Sequence, residues 1–272
     1  GTIELCEVDG QIEAGYASNV GGIAGRNSGT IRGCVNNATV IGGTCTGGIA
    51  GLDEKSSLEN CKNYGEIQGN GNTGGIVGKT SGDVSESENF GDIFSEDSYT
   101  GGVIGYINGT FSSLSNGGDV VGEDYTGGVI GYFGTGSGED LVSIANVTGN
   151  DHVGGFFGVF GYSVTMAGLV NESVVMGRAY VGGIAGEGGN FIDCINNGQI
   201  VTEGVLTDNG EAFSYVGGIV GRCGAVTDCS NTADISANGQ YIGGVAGYVT
   251  GNIDGAVNEG AVSGAERCGG IA

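Results

Sequence analysis

One short phrase is written ten times along this chain, and it limits the fold more than anything else in the sequence. A double glycine recurs at Gly21, Gly47, Gly74, Gly101, Gly127, Gly154, Gly182, Gly217, Gly243 and Gly269, at intervals of 26, 27, 27, 26, 27, 28, 35, 26 and 26 residues. The residue that follows is always Ile, Val or Phe, as in YVGGIAG at 180–186 and YVGGIVG at 215–221. Self-similarity at such a period marks a solenoid, in which each repeat packs only against its neighbours. The chain, 1–272, therefore reads as a single repeat domain.

Composition excludes the other periodic architectures. With 63 Gly, no Pro, no Trp and few Lys, Arg, Leu or Met, a helical solenoid is not supported. Collagen needs Gly at every third residue together with Pro, and neither holds here. Gly-rich disorder is excluded by 39% apolar residues that fall in phase with the period.

A second motif, apolar-x-x-Cys-x-Asn-x-Gly-x-Ile, lies between the glycine pairs, as in LENCKNYGEI and FIDCINNGQI. Its first column reads Ile3, Ile31, Leu58, Val84, Phe111, Leu141, Met166, Phe191, Val226 and Ile253. Three residues on stand Cys6, Cys34, Cys61, Ser87, Leu114, Ile144, Leu169, Cys194, Cys229 and Ala256, small or apolar throughout. An Asn column follows at Asn36, Asn63, Asn89, Asn116, Asn146, Asn171, Asn196, Asn231 and Asn258, with Ile or Val four residues later in every coil except the one where Asn150 stands. Short β-branched segments bounded by Gly, Asn, Asp and Ser read as strand, turn, strand, turn.

The expected fold is all-β: a parallel β-solenoid of about ten coils of 26–27 residues, with roughly three strands per turn. At about 4.8 Å per coil the rod would be roughly 45 Å long. Glycine pairs suit coil corners with positive φ and the close approach of neighbouring backbones. Asn suits left-handed turns and stacked amide ladders.

In these residues the chain resembles proteins carrying the GLUG motif, a Gly-rich repeat with a GG-[IV]-[AV]-G core, and the resemblance covers essentially the whole sequence. Such repeats occur in large bacterial surface proteins, including the non-catalytic region of immunoglobulin A1 peptidases and adhesin-like proteins. The resemblance implies secretion and surface display and no activity of its own. The zinc-peptidase motif H-E-x-x-H is missing, and the single histidine, His152, could not form it. The expectation is a non-enzymatic structural or interaction segment at the bacterial cell surface, without cofactor, offered to a host glycan or protein.

A formal charge of −23 repels nucleic acid and anionic lipid alike. No apolar run reaches the ~18 residues of a membrane-spanning helix. The sequence begins and ends inside a repeat, which reads as a piece of a longer protein continuing into further coils or a cap. With Ile3, Leu5, Cys6 and Ile12 in the core phase, uncapped end coils are expected to fray or to associate end to end.

Candidate binding residues fall in two places. Two residues before the glycine pairs stand Asn19, Cys45, Asn72, Tyr99, Tyr125, His152, Tyr180, Tyr215, Tyr241 and Arg267, a column whose rings suit stacking between coils and contact with a glycan or protein. His152 is expected to share the stack and not to act as a base. The 21-residue gap from Asn196 to Gly217 places about nine extra residues around TEGVLTDNGEAF, and such insertions emerge as loops on one face. Thr202, Glu203, Asp208 and Glu211 are its candidates.

The alternative function is a polysaccharide-processing β-helix built on the carboxylate column of Glu66, Asp92 and Asp119, extended by Glu96, Asp97, Glu123 and Asp124. Such a column could share a proton or hold calcium; a solvated acidic face is the plainer reading. Of the eight cysteines, Cys6, Cys34, Cys61, Cys194 and Cys229 share a column with Leu, Ile and Ala; the cysteines read as free, buried thiols, and no metal site is expected among them. GNGNTG at 69–74 opens no helix and is not a dinucleotide site.

Overall fold

The structure is a computed structural model describing residues 1–202, 214–238, 240–264 and 266–272. Among these residues there is no helix, and every strand pairing is parallel, with partners about one period apart in sequence. Two sheets of ten strands each run the length of the rod, one through the Ile/Val column and one through the glycine pairs. A third, larger sheet carries the segments between them, and a four-stranded ladder continues its Asn column in the last coils. The β-solenoid expected from the period is what forms.

Coils carry three to five strand segments: three, as expected, in the coil Ile104–Asn116, Val120–Val121 and Thr126–Gly127, and five where the longest segment is broken. One coil runs Thr30–Arg32, Val35–Asn36, Thr39–Ile41, Thr46–Gly47 and Ala50–Asp53. Two columns of left-handed residues bend the coil. One holds Asn60, Glu86, Ser113 and Asp140, the other Asn19, Cys45, Asn72, Tyr99 and Tyr125. The glycine pairs and the Asn column are absent from the positive-φ residues, so both assignments of left-handed backbone made from sequence are corrected here.

What the glycine pairs provide is room. A Cβ on Gly47 would lie 2.2 Å from the carbonyl oxygen of Ala50 and 2.8 Å from the amide nitrogen of Gly78 in the next coil. One on Gly48 would lie 2.2 Å from the Gly75 oxygen and 2.4 Å from Oδ1 of Asn63. The two sequence motifs thus meet face to face: in eight of the ten pairs the second glycine is the floor on which an Asn side chain rests.

The Asn column forms a buried amide ladder. Asn36, Asn63 and Asn89 each donate Nδ2 to Oδ1 of the next Asn at 2.6–2.7 Å, and Asn171, Asn196 and Asn231 repeat this at 2.8 Å. The same Nδ2 donates to the carbonyl two residues on, as from Asn63 to Gly65 at 2.8 Å. Both amide hydrogens are satisfied in a site from which water is excluded.

In the sixth coil the sequence alignment is out of phase by three residues. Gly138, Leu141 and Ser143 pair with Phe111, Leu114 and Asn116. Leu141 therefore takes the Cys column, while Ile144 is 69% exposed and Asn146 lies on the surface. Val147 pairs with Val120, so the coil that seemed to break the Ile/Val column at Asn150 keeps it. The strand register shifts between Ile107 and Gly109, and the Phe111 ring fills the space a side chain at Gly138 would need.

The main core runs along the rod through Ile31, Leu58, Val84, Phe111, Phe133, Phe157, Phe191 and Val226. Smaller clusters such as Val40, Ile67, Ile93 and Val120 fill the space under the Ile/Val sheet. All eight cysteines are free thiols, and those of the inner coils are buried. They do more than fill volume. Cys194 N donates to Cys229 Sγ at 3.3 Å and Cys61 N to Ser87 Oγ at 3.2 Å, so the column satisfies amides that the corner leaves without a carbonyl. In the first coil Leu5 is 84% exposed at a left-handed corner and Cys6 is exposed, which corrects their assignment to the core.

Candidate functional site

The tyrosine column is assembled as one continuous ladder of rings. Tyr99 stacks on Tyr125 at 4.9 Å, Tyr125 on His152 at 4.8 Å and His152 on Tyr180 at 4.2 Å between centroids. Tyr180 meets Tyr215 at a tilt, and Tyr215 stacks on Tyr241, both at 5.0 Å. The guanidinium of Arg267 lies 4.9 Å over the Tyr241 ring and closes that end. His152 shares the stack, as expected from its column.

Sequence reading missed a second column beside it, five residues after the first glycine of each pair. Tyr106 and Tyr132 stack there at 5.0 Å and set their edges against Tyr99 and Tyr125. Lys79 Nζ lies 4.8 Å over the Tyr106 ring. Further along, the same column holds Glu187, Arg222 and Tyr248 in register. The signal was present in the period: counting five on from Gly101, Gly127, Gly182, Gly217 and Gly243 gives these residues.

Where the two columns meet, a polar cluster forms. His152 Nε2 lies 3.1 Å from Glu187 Oε2, the Tyr162 hydroxyl donates to Glu187 Oε1 at 2.5 Å, and Arg222 Nη1 approaches the same oxygen at 3.8 Å. Burial alone would raise the Glu187 carboxyl, but bonds from His152 and Tyr162, with the Arg222 charge, hold it below the ordinary range. Burial and the neighbouring carboxylate push the Tyr162 phenol up, so it stays protonated and donating. His152 Nδ1 and Arg222 Nε are buried without hydrogen-bond partners.

The ladder's backbone is unusual. Tyr99, Tyr125, His152 and Tyr180 have φ of 69°, 60°, 58° and 50°, a conformation that Asn19 and Asn72 occupy in the same column at earlier coils. For a bulky residue it costs about 1–2 kcal/mol, against about 0.5–1.5 kcal/mol recovered per ring pair. Rings at these positions therefore stabilise the fold little beyond what Asn would do. Because the faces cover one another, ring edges and hydroxyls are what the half-buried ladder presents to solvent.

The remaining candidates fall elsewhere. Thr202 is buried at the end of the strand Ile200–Thr202, where its Oγ1 accepts the Asn238 amide at 3.3 Å. Glu203, Asp208 and Glu211 lie outside the described residues. In the carboxylate column, Asp92 Oδ1 accepts the Asp119 amide at 2.9 Å and Asp119 Oδ1 the Asn146 amide at 3.1 Å. These carboxylates cap the backbone of the next coil. Among the described residues no group of three or more His, Cys, Asp or Glu side chains is placed to hold a metal ion.

Fold and site together define a β-solenoid repeat protein with an aromatic ladder along one corner. No protein-family model, no curated protein and no solved structure matches the chain.

Proposed function

We propose that this chain is a structural and interaction segment of a secreted bacterial cell-surface protein, adhesin-like, and that the tyrosine ladder is the surface it offers to a host glycan or protein. One observation carries the reading: bulky rings occupy left-handed positions that Asn fills without strain in earlier coils of the same column. Backbone strain held in place by its surroundings is a reason to look for function at that spot. A row of phenol hydroxyls, each donor and acceptor, is matched by a partner rich in hydroxyl or amide groups. The resemblance of the repeats to those of bacterial surface proteins supports display outside the cell.

The test is binding of the labelled chain to arrays of host glycans and matrix proteins, repeated with Tyr125→Ser and Tyr215→Ser. A ligand whose binding falls with both substitutions supports the ladder. Binding that survives both, or no ligand at all, overturns this reading.

A further inference from the structure

The outer face of the Ile/Val sheet carries a feature separate from the ladder. Along this sheet Ile67, Ile93 and Val120 point inward and are fully buried, so their neighbours point out. Three coils in register place Gln68, Phe94 and Val121 side by side on the outside. Phe94 and Val121 are each 39% exposed, in a column that holds Gln68, Thr148 and Ser236 in other coils. With Ile41 and Tyr16, which is 85% exposed, they line an open groove of about 480 Å³.

Carboxylates border this apolar strip on both sides. Two residues before each outward position stand Glu66, Asp92 and Asp119, and two residues after stand Glu96 and Glu123. All five flank the strands and reach solvent: Glu66 is half-buried, and Asp92, Asp119, Glu96 and Glu123 are exposed. Segments 66–70, 92–98 and 119–125 contain no Lys or Arg. The result is three parallel stripes along the rod: acidic, apolar, acidic.

We infer that this strip is a docking site for a basic segment of a partner protein, with apolar side chains on the strip and Lys or Arg on its two borders. Charge selects the occupant. A second copy of this chain, with its own −23, would set carboxylate against carboxylate, and an acidic glycan meets the same repulsion. A neutral glycan would leave the borders unused. A basic segment satisfies all three stripes, and the field of the rod attracts it from a distance.

The experiment is fluorescence anisotropy with a labelled peptide of four lysines alternating with three leucines, against a control peptide in which glycine replaces leucine. Binding of the leucine peptide should weaken with added salt and fall by about tenfold or more in the double variant Phe94→Ser/Val121→Ser, the scale set by losing anchor residues at an interface. Glu96→Gln with Glu123→Gln should weaken it similarly, while Tyr125→Ser should not. Equal affinity for both peptides, an unchanged affinity in the Phe94→Ser/Val121→Ser variant, or no binding would overturn the inference. The first two outcomes would assign any attraction to the bulk charge of the rod. The ladder reading is untouched by any of them, because its test uses other residues and other ligands.

Discussion

Ser143 stands beside Asn116 in the column of stacked amides, and its hydroxyl is buried without a hydrogen-bond partner. The amide ladder is complete on either side of this rung and broken at it. The surroundings are those of an Asn: Ser143 Oγ lies 2.7 Å from where a Cβ of Gly128 would be, as the Asn side chains lie against the second glycine in other coils. Ser143→Asn should restore two hydrogen bonds at about 1 kcal/mol each. The expected gain is roughly 2–4 °C in melting temperature per kcal/mol, read by calorimetry. An unchanged or lower midpoint would show that this rung has no room for an amide.

Removing a rung should do the reverse. Asn63 accepts from Asn36, donates to Asn89 and Gly65, and is fully buried. Asn63→Ala leaves several buried polar groups unpaired at about 1–3 kcal/mol each. Urea unfolding should show a loss of more than about 2 kcal/mol, far above the usual surface substitution.

The glycine pairs of the inner coils should tolerate no side chain. A Cβ on Gly102 would lie 2.2 Å from both Asn116 Nδ2 and the Gly128 oxygen, whereas on Gly117 its nearest neighbour, Phe90, is 3.6 Å away. Gly102→Ala should yield insoluble or unfolded protein, and Gly117→Ala should express and melt like the wild type. Equal behaviour of the two would refute close approach as the reason for the pairs.

Thiol chemistry follows burial. Cys34, Cys45, Cys61, Cys194, Cys223 and Cys229 are buried, and only Cys6 and Cys268 are exposed. A disulfide reagent at neutral pH should titrate the two exposed thiols in the native protein and all eight in denaturant. Burial raises the Cys61 thiol from 9.0 to about 11 and the Cys223 thiol to about 12. The native state thus favours the neutral thiols. Their contribution to stability is complete below pH 9 and is lost as pH rises through 11 to 12, so denaturant midpoints should fall over that window.

Acid acts through the cluster at the ladder. Glu187 is held below its ordinary 4.5, so its contribution is present above that pH and fades as pH falls through its folded value. Glu187→Gln should lower the melting temperature at neutral pH, and the difference from wild type should shrink in acid. A difference that stays constant down to low pH would mean that packing, not charge, holds the site.

How far could the sequence be read? The spacing of Gly21, Gly47 and Gly74 announced the solenoid, and the Asn and tyrosine columns were visible as columns because each in-register partner lies one period away. The sixth coil was misread because Leu141 satisfies the apolar pattern and Gly138 does not, whereas the strands pair Gly138 with Phe111, whose ring lies over the glycine. Glu187 was passed over because Tyr132, Val159, Glu187 and Arg222 share a column without sharing chemistry. Their common feature is position.

The sequence by itself determined the period, the parallel β class and the columns that must stack, because repetition forces equivalent residues onto equivalent places. Tertiary structure decided what those columns touch. Gly48 faces Asn63, and Tyr162 reaches Glu187 across 25 residues. The left-handed corners fell to Tyr99 and Tyr125 and not to the glycine pairs. The physical reason is that a period fixes which residues neighbour one another along the rod, whereas contacts across a coil depend on where each corner bends. The bends are set by packing of side chains far apart in sequence.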